Sequence, residues 1–239
     1  MEKEQTLNNT NSSVKIKTAI SILDNSSSFS KFKRYDPLVW FLYPDLELSA
    51  RSLSDKYLDK SIKNGVQILV CAYYYFGNIH NGRMFKLKFS KDEKENTISE
   101  LFPNLDFKFK FKFSLYTSET AKWSRKCYEH FEFLEKYILY LLSEYHFRNP
   151  KRIHPMSDMY FYIVNDNIKS RFTRAHLKEV ILNWKSISKK YRNKDIYLSY
   201  RNYYASKIES IDEDYKNFKR DIPEFIIEKF SLNTSIFLE

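Results

Sequence analysis

Glycine is nearly absent from this chain, with three residues in 239, at Gly65, Gly77 and Gly82. A Walker or Rossmann phosphate loop needs several glycines at fixed spacing, so both are excluded. Two cysteines, Cys71 and Cys127, are too few for a disulfide-stapled scaffold or a thiolate zinc site, and are expected as reduced, buried thiols. The five histidines stand at 80, 130, 146, 154 and 176, with no pair at the short spacing of a zinc enzyme. No metal site or cofactor is expected. No Ser lies in a Gly-x-Ser-x-Gly elbow, and neither cysteine has a histidine partner in a recognisable motif. There is no apolar run long enough to span a bilayer, and MEKEQTLNNTNSSVK lacks the apolar core of a signal peptide. The expectation is a cytoplasmic protein with no membrane partner and no obligate protein partner.

What the chain does have is positive charge and aromatic rings. Lys and Arg outnumber Asp and Glu by 40 to 30, giving a net charge of +10, and aromatics make up 18%. A polyanionic partner is favoured, with large rings building the core and one or two left to stack on bases. The length suits one substantial core.

Residues 1–35 are rich in Asn, Ser and Lys and read as a loosely ordered polar tail. From there to residue 239 the pattern is mainly α, a single helical domain. The apolar segment between Pro37 and Pro44 reads as a buried strand or loop. Between Ser54 and Phe76, the apolar positions Leu58, Ile62, Gly65, Leu69 and Ala72 share one helical face, with Ser54 as N-cap. Lys56, Lys60, Lys63 and Gln67 fall together on an outward basic face. QILVCAYYYF has strand-like composition, but the longer helical period upstream decides for helix. MFKLKF and LDFKFKFKFSLY alternate with period two, so a small β-hairpin is expected as an insertion at about 84–116. Glu119–Phe147 is expected as the longest helix, with shorter ones at Met156–Val164, Arg174–Trp184, Ile196–Ile208 and Glu224–Phe230. His80 reads as a turn residue.

Three constellations could carry chemistry. The first is Asp45, Glu47, Arg51, Asp55, Lys56, Lys60, Asn64 and Gln67, a mixture able to hold phosphate and keep a carboxylate for activating water. Spacing alone favours an ordinary solvated helix face. The second is Glu144 to Arg148 with Lys151 and His154, either favourable charge at a helix C-terminus or a phosphate clamp. The third is Tyr197, Tyr200, Arg201, Tyr203, Tyr204 and Lys207, interleaving rings and cations as base stacking requires, though such a stripe more often belongs to a core. Its tyrosine spacing faintly echoes rolling-circle initiators, whose His-hydrophobic-His strand is missing here.

In order along residues 40–225, these segments resemble phage and bacterial proteins related to the pyrimidine-dimer DNA glycosylase family. The resemblance rests on Tyr43-Pro44-Asp45, Ser49-Ala50, Asp55-Lys56 with Lys60, and Gln67-Ile68-Leu69, then Trp123 with Arg125. It continues through Glu144-Tyr145 with Arg148, Lys151 and His154, then Asp195 and Tyr200-Arg201-Asn202-Tyr203-Tyr204 with Lys207, and Lys219-Arg220 before Pro223-Glu224-Phe225. No single motif is diagnostic, and the order carries the likeness. The chain departs from the family pattern at Asn64, where the family has Glu, and at Thr117-Ser118-Glu119, where it has Asn-His-Pro.

The resemblance implies a helical fold and a DNA glycosylase acting on double-stranded DNA. Such an enzyme flips its base and stabilises an oxocarbenium-like sugar with a carboxylate, cationic clamps and aromatic walls. The implied carboxylates are Asp45 or Asp55, with Glu119 and Glu144 behind them. The implied DNA contacts are Arg51, Lys56, Lys60, Asn64, Gln67, Arg125, Arg148, Lys151, His154, Arg201, Tyr204 and Lys207. Some 35 residues precede the matching region, which argues against a lyase step through an N-terminal amine. The substrate class it points to is a modified pyrimidine such as glucosylated hydroxymethylcytosine of phage DNA, in anti-phage defence. The competing expectations are a non-catalytic nucleic-acid-binding protein and an enzyme acting on free nucleotides.

Overall fold

The computed structural model describes residues 38–80, 96–97, 110–111, 115, 118–165, 170, 172, 174–177, 180, 182, 184–215 and 220–235. The chain divides between Tyr35 and Asp36 into two units, and the first of them, including the expected polar tail, lies outside the described residues. The described part of the second is mainly helical. Its helices are α1 (Leu46–Arg51), α2 (Asp55–His80), α3 (Glu119–Ser124), α4 (Tyr128–Arg148), α5 (Ser157–Asn165), α6 (Ile196–Ala205), α7 (Ile211–Tyr215) and α8 (Glu224–Ser235). Single 3₁₀ turns cover Trp184–Ser186 and Lys189–Tyr191.

The segment after Pro37 is a buried loop, with Val39, Trp40, Phe41 and Leu42 almost fully enclosed. A buried backbone must find hydrogen-bond partners, and here side chains supply them where a sheet neighbour would otherwise be needed. The Asn64 amide donates to Leu38 O at 3.0 Å, and the Tyr137 hydroxyl to Trp40 O at 2.5 Å. Leu42 N–H donates to the Ser49 hydroxyl at 2.7 Å, and Arg201 Nη1 to Leu42 O at 3.3 Å. The loop is therefore the hub on which α1, α2, α4 and α6 converge.

Helix α2 runs unbroken for 26 residues, so the strand-like stretch is helical and His80 closes the helix rather than lying in a turn. From Gly65 to Ala72 every residue is buried, because the second half of α2 is enclosed by α3, α4 and α5. A Cβ on Gly65 would stand 2.9 Å from Ile138 Cγ1, so the missing side chain is what lets α2 and α4 approach so closely. Ser54 does precede α2, but it is not the expected side-chain cap. Its carbonyl accepts from Leu58 N–H, while its hydroxyl is buried with no hydrogen-bond partner.

The expected continuous helix from Glu119 to Phe147 is two helices. Ser118 caps α3 by accepting from Ala121 N–H, and the chain then breaks at Arg125–Cys127. At the break, His130 Nδ1–H donates to Trp123 O at 2.9 Å and the His130 ring stacks on Trp123 with centroids 4.7 Å apart. A side chain thus takes a carbonyl that a continuing helix would use, with no Gly or Pro to mark the place. The expected helix at Arg174–Trp184 is also wrong where it is described, since Arg174–Leu177 is irregular. Glu129 pins this loop by accepting from Ala175 and His176 N–H.

Strand content among the described residues is one two-residue antiparallel pair, Asn96 opposite Phe111 and Thr97 opposite Lys110. That does not amount to the expected inserted hairpin. The alternating stretch from 84 to 89 lies outside the described residues, as does most of 105–116.

Candidate functional site

Two assemblies of charged side chains stand out. The first centres on Arg148, at the C-terminus of α4, whose side chain is 2% exposed. Its Nε donates to Glu144 Oε1 at 2.8 Å, and its Nη1 to Leu53 O at 2.8 Å and to Asp55 Oδ1 at 2.7 Å, while Nη2 reaches Arg51 O at 3.1 Å. Arg148 thereby caps the carbonyl end of α1 and ties it to the start of α2. Glu144, 4% exposed, also accepts from Arg220, with Nη2 to Oε2 at 3.1 Å. The Arg220 guanidinium lies 3.6 Å over the Phe147 ring. Glu144 and Arg220 share a pocket of about 220 Å³ with Glu47, Arg51, Tyr140 and Phe147. Of the four candidate carboxylates, Glu144 is the one that lines this pocket. Asp45 is the N-cap of α1, accepting from Leu48 N–H at 2.9 Å. Asp55 belongs to Arg148, and Glu119, in the first turn of α3, faces Lys122 and Lys185 at 3.5 and 3.8 Å.

The second assembly is a row of lysines along a row of tyrosines. On the first turns of α2, the ammonium groups of Lys56 and Lys60 lie 5.5 and 5.9 Å from the centre of the Tyr57 ring. The Tyr57 hydroxyl donates to Lys207 O at 3.4 Å, just past α6, and Lys207 Nζ lies 5.2 Å over Tyr203. Tyr203 stacks on Tyr191 with centroids 4.9 Å apart and 21° between planes, and Lys190 Nζ lies 4.6 Å over Tyr191. The neighbouring Lys190 ammonium holds the Tyr191 phenol below its ordinary pKa of 10.0. Tyr57 and Tyr203 are themselves core rings, packed on Trp40. The result is a set of ammonium groups fixed to the surface by the core beneath them. Lys185, Lys189, Arg192 and Lys194 continue the positive surface beyond Lys190, all exposed. At the other end, Lys56 lies 3.8 Å from the buried carboxylate of Asp214, and the exposed Asp212 and Glu213 of α7 bound the row.

Several expected DNA contacts are corrected by burial. Gln67 lies in the enclosed half of α2, so the outward basic face ends at Lys63. Asn64 is tied to the Leu38 carbonyl, and Arg148 is consumed internally. His154 is buried, accepting from Met156 N–H at Nδ1, which leaves Nε2–H to donate to Asp59 at 3.2 Å. It is not a phosphate clamp. Tyr204 is fully buried, its hydroxyl accepting from Ser54 N–H at 2.8 Å and paired with Tyr215 at 3.2 Å. It cannot stack on a base. Lys151 is exposed beside His154. Arg51 pairs with Glu47, Arg125 lies over Tyr75 at 5.1 Å, and Arg201 lies over Tyr43 at 5.1 Å. Among the described residues no group of His, Cys, Asp and Glu is arranged to hold a metal.

Two predictions follow from these burials. Tyr204→Phe leaves the buried Ser54 N–H without its acceptor and is expected to cost about 1–3 kcal/mol in urea denaturation while leaving DNA affinity unchanged. The second concerns Asp59. The hydrogen bond from His154 holds its carboxyl below the ordinary 3.8, against the opposing effect of burial, with Lys63 helping. A lowered folded pKa contributes stability that is present above the ordinary value and is lost as pH falls through the folded one. Asp59→Asn should therefore be less stable than the parent near neutral pH, with the difference closing as pH falls through the lowered folded pKa, as read from urea midpoints.

Lys190 and Tyr191 are the functional candidates that sequence reasoning missed. A signal existed in Lys189-Lys190-Tyr191-Arg192, with Lys185 and Lys194 on either side and no acid from 185 to 194. What the sequence does not show is that Tyr191 docks on Tyr203 and so joins that run to α2. Compared with protein-family models, with curated proteins and with solved structures, the chain matches none.

Proposed function

We propose that the protein binds nucleic acid along the Lys56–Lys60–Lys207–Lys190 row, with double-stranded DNA as the partner. The observation that carries this reading is the continuity of the row. Four ammonium groups from three separate parts of the chain lie over Tyr57, Tyr203 and Tyr191, which are joined by the Tyr57–Lys207 hydrogen bond and the Tyr203–Tyr191 stack. Phosphate backbones are recognised by such arrays at little specificity, and the affinity comes from counterion release. The net charge of +10 adds long-range attraction. A cytoplasmic location goes with this reading, in keeping with two buried, unpaired thiols. No helix among the described residues is long and apolar enough to cross a membrane. Fluorescence anisotropy with a labelled duplex tests the binding. Saturable binding that weakens with salt supports it, and absence of binding at low salt rejects it.

A second reading, favoured by the Glu144 pocket, adds chemistry to the binding. On this reading the protein is a DNA glycosylase that excises a modified pyrimidine, such as glucosylated hydroxymethylcytosine of phage DNA, in anti-phage defence. Glu144 is the carboxylate that would support an oxocarbenium-like sugar, with Arg220 and Arg51 beside the phosphates. Mass spectrometry of phage DNA incubated with the protein reads out the released base. Release by the parent and its loss in Glu144→Gln, with folding and DNA binding retained, is the expected result. DNA binding without release of any base from modified or unmodified DNA leaves the protein a binder alone.

A further inference from the structure

Helices α6 and α8 flank an open groove of about 510 Å³, away from the Glu144 pocket. Its α6 wall is one helical face, Leu198, Arg201, Asn202 and Ala205, closed by Ser206, and its α8 wall is Phe225, Glu228 and Lys229. The volume lies within the range of small-molecule and cofactor sites, roughly 300–1,000 Å³.

The walls are mostly apolar around the Phe225 ring, with Arg201, Asn202, Ser206 and Lys229 as donors and the exposed Glu228 as the one carboxylate among them. Arg201 is held in place by Leu42 O at 3.3 Å and by the Tyr43 ring, with Asp195 at 3.9 Å from Nη2, contacts that leave other N–H groups of its five to reach a ligand. The Lys229 ammonium is anchored by Ala205 O at 2.7 Å and by Ile208 O, and an ammonium has three donors. Burial also lowers its pKa, so an anion beside it would be stabilising to the charged form. Phe225 packs on Tyr43 and Tyr204 with centroids 6.3 and 6.2 Å apart, so its ring is fixed, and it is only partly covered. Asn202 supplies both a donor and an acceptor, as reading a base edge requires. The pocket also adjoins the lysine row, because Ser206, which lines it, donates its hydroxyl to Tyr203 O at 2.7 Å.

We propose that this pocket is a subsite for one unpaired deoxynucleotide, its phosphate on Arg201 and Lys229 and its base against Phe225 and Asn202. This rests on the nucleic-acid reading and deepens it. The row holds the backbone, and the pocket takes one nucleotide that is out of the stack, at a strand end, a gap or a flipped position.

The test is isothermal titration of the whole protein with dTMP and dAMP, with thymidine alone and inorganic phosphate alone as separate arms. A mononucleotide should bind at least tenfold more tightly than either part. Ala205→Phe fills the pocket and removes no hydrogen-bonding side chain, so mononucleotide affinity should fall at least tenfold while the salt slope for duplex DNA stays the same. Ser206→Ala, a smaller change at the rim, checks that any loss does not come from misfolding, and should keep most of the mononucleotide affinity. Phosphate binding as tightly as dTMP would overturn the proposal, since the pocket would then be an anion site only. So would unchanged dTMP affinity in Ala205→Phe. Loss of duplex binding in the parent protein would instead remove the nucleic-acid reading itself, and dTMP binding would separate the two outcomes.

Discussion

Arg148→Met is expected to be the most destabilising single substitution outside the apolar core, costing about 3–5 kcal/mol in urea or thermal denaturation. The cost comes from what is left behind. Glu144, 4% exposed, keeps Arg220 alone as its partner, and the carbonyls of Leu53 and Arg51 lose their donor. Asp55 is half exposed and can return to water, so its share is small. Lysine is not a substitute, because one ammonium cannot reproduce contacts made from three guanidinium nitrogens in a fixed fork. A discriminating variant is the pair Arg148→Met with Glu144→Leu. Removing both buried charges is often neutral against an apolar replacement, so the pair should recover much of the loss. If the single and the double variant were equally unstable, the Glu144 charge would not be the cause, and the two orphaned carbonyls would have to account for it.

The second large effect is on binding. Replacing Lys60, Lys190 and Lys207 together by Gln is expected to weaken duplex DNA affinity by about 10–1,000-fold at low salt and to reduce the slope of log affinity against log salt by roughly three. Each side chain lies over a ring, and its alkyl stem covers apolar surface, so Gln is preferred to Ala to keep part of that cover. The control is Lys122→Gln. Lys122 is also an exposed lysine, but it faces Glu119 on α3 and does not belong to the row. A uniform loss for any lysine, in or out of the row, would mean that net charge alone drives binding. A loss confined to the row assigns the surface.

Periodicity was a good guide to the helices because burial in this fold is mostly one-sided. Leu58, Ile62, Leu69 and Ala72 point to the core as their spacing requires, and α6 and α8 begin where their sequence pattern places them. It was silent or wrong where a side chain replaced a backbone partner. The apolar run at 38–45 leaves strand and loop both open, and it is a loop because Asn64, Ser49, Tyr137 and Arg201 satisfy its backbone. The break after Ser124 depends on His130, seven residues from the carbonyl it binds, and nothing local announces it.

The charged candidates were harder still. A sequence shows Arg148, His154 and Lys60 alike as basic side chains, but two of them point inward and one outward. That outcome turns on which positions of α4 and of the following turn face α1 and α2. Asn64 has a similar lesson. Its amide donates to a backbone carbonyl, a task no ionised carboxylate can perform. At this position the chain has a structural side chain, and of the four candidate carboxylates the one that lines a pocket is Glu144, on another helix.

The central claim is that a fixed row of lysines binds the backbone of DNA, and the salt dependence of binding by the parent protein tests it most directly. With four lysines engaged, a plot of log affinity for a short duplex against log salt should be linear with a slope near −3.6, about −0.9 for each phosphate neutralised. A duplex that does not bind at low salt, or one whose affinity is indifferent to salt, would contradict it.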